Sequence, residues 1–176
     1  MKSFIPLLFI ATAVLRADDV PTRTVDISVW TIEVPADTTV EEKADMPDFT
    51  VTYFTFPSLG ATMGIYEGGH PSSFSEEATD AKQMKDTLGG EATTWSIWTT
   101  DADDERRVMA EAVITSQVIR YPEHSLEFEQ KFHLFISAPD QLTRVAVQRI
   151  ARTLKKKEAN KPVETTETAA RSPRLS

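Results

Sequence analysis

The chain has 176 residues and no Cys, and its 27 Asp and Glu against 19 Lys and Arg give a formal charge of −8. A negative surface of this kind repels nucleic-acid phosphates and anionic lipid, and the lack of Cys removes disulfides, thiol catalysis and Cys-based metal sites. The length suits a single domain around one hydrophobic core.

Lys2 precedes an apolar run from Phe4 to Leu15, which ends at Arg16-Ala17 and an acidic Asp18-Asp19. This is the layout of a secretory signal peptide, and cleavage is predicted after Ala17. The run is short of the roughly 20 apolar residues a helix needs to cross a bilayer, so no permanent membrane span is expected after cleavage. Asp18 rather than Cys follows Ala17, which excludes a lipoprotein-type anchor. The reading divides the chain into a signal peptide (1–17), a single α+β domain (18–157) and a C-terminal tail (158–176). The mature protein would hold about 159 residues, carry a charge of about −10 and be secreted or periplasmic.

Thr24 to Val34 alternates as one strand, with a phase slip near Val29-Trp30 that a bulge or burial of both faces would explain. Ala36 to Pro47 reads as an acidic loop, and Phe49 to Phe56 as a second strand rich in aromatic and β-branched residues. Pro57 to Gly60 is turn chemistry, so Ala61 to Glu67 returns as a third strand. Ser75, Glu76 and Glu77, then Ala78, Ala81, Met84 and Leu88, suggest a short surface helix ended by Gly89-Gly90.

Ala92 to Thr99 is a strand with Trp95 and Ile97 on one side and Trp98 on the other. Arg106 to Ser116 fits both a strand and a helical stripe; the short acidic turn before it favours a strand paired back on the Trp-rich one. Leu126 to Ile136 has the clearest period of two, placing Leu126, Phe128, Phe132, Leu134 and Ile136 inward and Glu127, Glu129, Lys131 and His133 toward solvent. Ser137-Ala138-Pro139-Asp140 then reads as a capping box, followed by a helix whose apolar face includes Leu142, Val145, Ala146, Ile150 and Leu154, with Lys155 to Lys157 as its solvated basic end. From about Glu158 the chain loses apolar residues and is predicted to be disordered. The fold class is therefore α+β: an antiparallel sheet of about six strands, with a C-terminal helix and a short central helix packed on it.

Candidate sites are sparse. Gly64 to Pro71 combines glycines that admit a ligand to the backbone with Tyr66 and His70, which can supply recognition; Gly68 and Gly69 sit between them. The spacing is neither a phosphate loop nor a dinucleotide fingerprint, and the bland alternative is a strand end and turn. Trp95 and Trp98 could stack on a ligand, but a regular strand sends them to opposite faces. Asp101, Asp103, Asp104 and Glu105 have the composition of a calcium loop without its spacing, so no metal is expected. His70, His124 and His133 are the only histidines and lie in separate segments with no zinc-ligand spacing; no G-x-S-x-G elbow occurs. No cofactor motif is present. The basic run Lys155 to Lys157 with Lys161 could meet an acidic partner, although such runs are commonly solvated helix ends.

Trp30-x-x-Glu33-x-Pro35, the Trp95-x-x-Trp98 hairpin and a closing helix after Phe132 to Ser137 resemble, in element order over residues 24–156, the exported PsbP/Mog1-type α/β sandwich. The resemblance implies a non-catalytic accessory or binding module acting on a protein or small-molecule partner, although a fold does not dictate a function. The competing readings are a small extracytoplasmic hydrolase using His70 or His133, and a cell-surface structural protein. A pocket in which a His meets a carboxylate and a Ser or Tyr would favour the hydrolase, and a shallow apolar or charged surface the binding module.

Overall fold

Two neighbouring residues, Ser28 and Val29, divide what the sequence presents as one strand. β1 (Thr22–Ile27) pairs antiparallel with β2 (Trp30–Pro35), Ile27 opposite Trp30, and Ser28 takes a left-handed conformation at φ 50°. The phase slip is thus a two-residue hairpin turn and not a bulge. The computed structural model describes residues 21–46, 48–102, 105–121 and 126–157. The predicted signal peptide, its cleavage point after Ala17 and the predicted tail lie outside the described residues, as do His124, Asp103, Asp104 and Lys161.

The stretch expected as an acidic loop also pairs: β3 (Thr39–Met46) lies antiparallel to β4 (Phe49–Phe56), which returns through the left-handed Gly60 into β5 (Ala61–Gly68). The expected central helix does not form. Ser75–Glu77 is one 3-10 turn, and Lys82–Leu88 is β6. Met84 and Leu88 are four apart, which suits a helix, but both numbers are even, so they equally share one face of a strand. Leu88 is fully buried and Met84 packs against the core. Gly89 and Gly90, at φ 57° and 86°, form the two-residue turn into β7 (Glu91–Ala102) instead of ending a helix. The ambiguous segment is a strand, β8 (Glu105–Tyr121), followed by β9 (Leu126–Ala138).

The result is an antiparallel sheet of seven strands in the order β3-β4-β5-β9-β8-β7-β6. A second sheet, β1-β2-β10, and helix α1 (Gln141–Ala151) cover its inner face, where β10 is Lys155–Lys156. Among the described residues ten strands thus replace the roughly six expected. Trp30, Ile32 and Val34 of the small sheet close on Phe54, Met63, Trp95, Phe132, Leu134 and Ile136 of the large one. Val147, Ala151 and Leu154 complete the core. A register shift at Ser116 in β8 buries its hydroxyl, which accepts from Trp30 Nε1 at 3.2 Å and donates to Glu67 at 3.0 Å. A polar relay thereby ties the small sheet to the large one.

Two further expectations are corrected by what covers each face. The helix is capped by Asp140, which accepts from the Thr143 N–H at 2.8 Å. Its buried face is Arg144, Val147, Gln148 and Ala151, so Leu142, two residues and about 200° from Arg144, is 84% exposed. The helix stops at Ala151 because Leu154 turns into the core, and Lys155 and Lys156 pair with Thr31 and Trp30 as β10 instead of prolonging it. On β9, Phe132, Leu134 and Ile136 are inward as expected, but Phe128 is 40% exposed. The pairing of β5 with β9 ends at Gly68 and Lys131, so the first residues of β9 pair only with β8.

Candidate functional site

The seven-stranded sheet has a second, outer face, and the chain must cross it. β5 lies near the middle of the sheet and β6 at its edge, so the connection 69–81 passes over β9, β8 and β7. A connection of this kind carries many backbone groups past apolar side chains and needs fixed partners. Glu111 of β8 supplies them. Its carboxylate accepts from the Ser73 hydroxyl (2.7 Å), the Phe74 N–H (2.8 Å), the Ser75 N–H (2.9 Å) and the Ser75 hydroxyl (2.5 Å). Phe74 is thereby pressed onto His133 and Phe135 of β9, with ring centroids 5.2 and 5.4 Å away. Beyond it, Thr99 donates to Asp80 at 3.0 Å, and Trp98 lies under the end of the crossing, 8% exposed.

His133, expected to face solvent, is only 2% exposed, because Phe74 of the crossing segment covers it. Its Nε2 is 2.9 Å from Glu111. Burial pushes the imidazole below its ordinary value, against the opposing pull of Glu111, and so favours the neutral ring donating through Nε2. Burial would raise the Glu111 carboxyl, but its hydrogen bonds from Ser75, Phe74 and Ser73 outweigh that and hold it at about 2. The arrangement is an ionised carboxylate shared between a strap and a neutral histidine. It is not a nucleophile triad: there the imidazole takes the hydroxyl proton, whereas here both serines give their hydrogen bonds to the carboxylate. A carboxylate held at about 2 is also a weak base at neutral pH.

Beside the strap, the outer face forms an open groove of about 610 Å³. Val51 and Tyr53 of β4, Tyr66 of β5 and Phe135 of β9 form its floor, and Phe74, His70 and Phe128 line it from the strap and the β8–β9 arm. Tyr53 meets Phe135 edge-on at 6.1 Å, and Tyr66 stacks on Phe49 at 5.3 Å. Two glycines make the floor possible. A Cβ on Gly64 would lie 2.0 Å from the Phe135 ring, and one on Gly69 would lie 2.2 Å from Phe128. Gly64→Ala should therefore displace Phe135 and cost about 1–3 kcal/mol, read as a lower urea midpoint and altered Phe135 NMR shifts; an unchanged ring environment would contradict the close approach.

Of the residues singled out from the sequence, Tyr66, Gly69 and His70 come together in this groove, and Gly68 is buried beneath Tyr66. Trp95 and Trp98 do not join them. Trp95 is fully buried in the inner core and donates to Asp86 at 2.9 Å, while Trp98 leaves the opposite face. Asp101 and Glu105 sit on the paired ends of β7 and β8. Among the described residues no three potential metal ligands converge, and no helix is long and apolar enough to cross a membrane. Tyr53, Phe74, Glu111 and Phe135 were not singled out from the sequence. The signal for one of them was available: Phe135 shares its parity on β9 with His133, so an aromatic stood on the face read as wet.

No protein-family model, curated protein or solved structure matches the chain.

Proposed function

We propose that the protein is a non-catalytic binding module acting outside the cytoplasm, and that its ligand is a small organic molecule whose apolar body enters the outer-face groove. The observation that carries this reading is the groove itself: aromatic side chains from two layers line an open concavity whose floor is flattened by Gly64. Binding sites for small molecules are commonly concave, largely apolar and equipped with a few oriented polar groups, here the phenols of Tyr53 and Tyr66 and the ring of His70. The Glu111 clamp favours binding over chemistry, since it spends its acceptor capacity on holding the strap. Export is supported by Lys2 and the apolar run from Phe4 to Leu15. The likeness to the PsbP/Mog1-type sandwich fits the same accessory role and supplies no residue to the groove.

Tyr53→Arg tests the reading. Tyr53 is 37% exposed, so the variant should fold, yet it puts a long cation into the groove. Thermal-shift and NMR screening against small aromatic compounds should give ligands whose affinity falls at least about tenfold in Tyr53→Arg. Leu142→Arg, on the far side of the molecule's helix, should bind like the parent. Ligands that bind both variants equally would place the site elsewhere.

A further inference from the structure

The aromatic groove has an acidic neighbour. A second concavity of about 310 Å³ opens at the same end of the sheet, on the inner side, and Asp48 of the β3–β4 turn and Phe49, the first residue of β4, line both. Glu42 and Glu67 stand in this cleft with Thr52, Gln117 and Gln130. The two glutamines hydrogen-bond to each other just past the Ser116 register shift. Among the described residues neither concavity is lined by a Lys or an Arg. The groove therefore offers aromatic faces and phenol oxygens, and its rim turns into carboxylates at Asp48. Both features attract positive charge: the face of an aromatic ring is electron-rich, and a concave acidic wall beside a low-dielectric floor focuses negative potential. The Lys43 ammonium, paired with Glu41 at 3.5 Å, lies 5.3 Å from the Tyr53 ring centroid, so one face of Tyr53 is taken by the protein's own cation and the carboxylate left to a ligand's positive end is that of Asp48.

We propose that the groove takes an organic ammonium ion, its apolar or aromatic body among Tyr53, Tyr66 and Phe135 and its positive end at Asp48, where the acidic cleft opens. The proposal rests on the binding reading above and names the ligand class. The complementarity is one of charge and shape together: the floor excludes a hydrated inorganic cation from its preferred oxygen ligands, and the carboxylates repel a fatty acid or an aromatic acid. An amine with an apolar body satisfies both halves at once.

Three probes that share one body and differ in charge decide the matter: 2-phenylethylammonium, 2-phenylethanol and 3-phenylpropionate, titrated by NMR into the full-length protein. The ammonium should bind at least about tenfold more tightly than the alcohol, with the carboxylate weakest. Asp48→Asn should bring the ammonium-to-alcohol ratio below about threefold. Equal affinity for all three probes, or a ratio that stays near ten in Asp48→Asn, overturns the cation assignment while leaving the groove as a binding site. If no probe perturbs Tyr53, Tyr66 or Phe135, the binding reading falls, and this inference with it.

Discussion

Phe132→Ala should lower the stability of the protein by about 3–5 kcal/mol. The expected size follows from its position. β9 is a central strand, paired on one side with β5 and on the other with β8, and Phe132 stands opposite Glu67 and Ile114. It is fully buried, and its ring meets that of Trp30 at 5.8 Å, so it joins the two sheets. Truncation leaves a cavity that neither sheet can close without breaking its own ladder. Urea denaturation should show a lower midpoint with an unchanged slope. Phe128→Ala, four residues earlier on the same strand, should cost under about 1 kcal/mol because that ring is largely exposed. Equal losses for the two variants would mean that the inner face is not the core.

Glu111→Ala should cost about 3 kcal/mol and act on a different part of the molecule. It strands two serine hydroxyls and two backbone N–H groups in a part-buried strap and leaves the buried His133 ring without its acceptor. Hydrogen exchange at Phe74 and Ser75 should rise far more than in the β8 and β9 ladders, because the strap has lost its clamp. The same pair sets a dependence on pH. Glu111 is held at about 2, below its usual value of 4.5, so its contribution is present above pH 4.5 and is lost as the pH falls toward 2. His133 is held below its usual 6.5, so the unfolded chain takes up this proton first and stability begins to fall as the pH drops below 6.5. Both effects favour the folded state at neutral pH. In His133→Gln, which keeps a donor toward Glu111, the part of the acid loss that starts near pH 6.5 should disappear from thermal melts taken between pH 7 and 4. A melting profile parallel to that of the parent would show that His133 does not titrate differently on folding.

The strands legible in the sequence and those that were not differ in one physical respect. Phe49–Phe56, Ala61–Gly68 and the even positions of β9 bury one face, and their apolar alternation records it. β3, β6 and β10 are edge strands with the sequences TVEEKADM, KQMKDTL and KK. Edge strands carry charge that discourages pairing with other molecules, and that charge hides the alternation by which a strand is recognised. The Ser28-Val29 hairpin was missed for a related reason: no Gly or Asn marks its left-handed residue. Part of the candidate site was visible, since Tyr66, Gly69 and His70 lie within one five-residue stretch. The rest comes from β4, the strap and β9, and their meeting depends on the strap crossing three strands. Nothing local in Ser73 or Phe74 announces that path, and Glu111, a charged residue amid β8, is legible as a clamp only once the crossing is known.

The small sheet has a consequence for the order in which the molecule can be completed. β1 and β2 precede every other described strand, yet β2 finds its second neighbour in β10, and Lys155 pairs with Thr31 across 124 residues of chain. The cover of the large sheet also waits for α1, which follows the last of its strands. Pairings between such distant segments form late and slowly, because loop closure precedes the burial that rewards it. Trp30 therefore has no complete shelter during synthesis until the segment through its β10 partner Lys156 has been made. The small sheet is thus a late-closing seam, and all seven strands of the large sheet can be paired before its cover is complete.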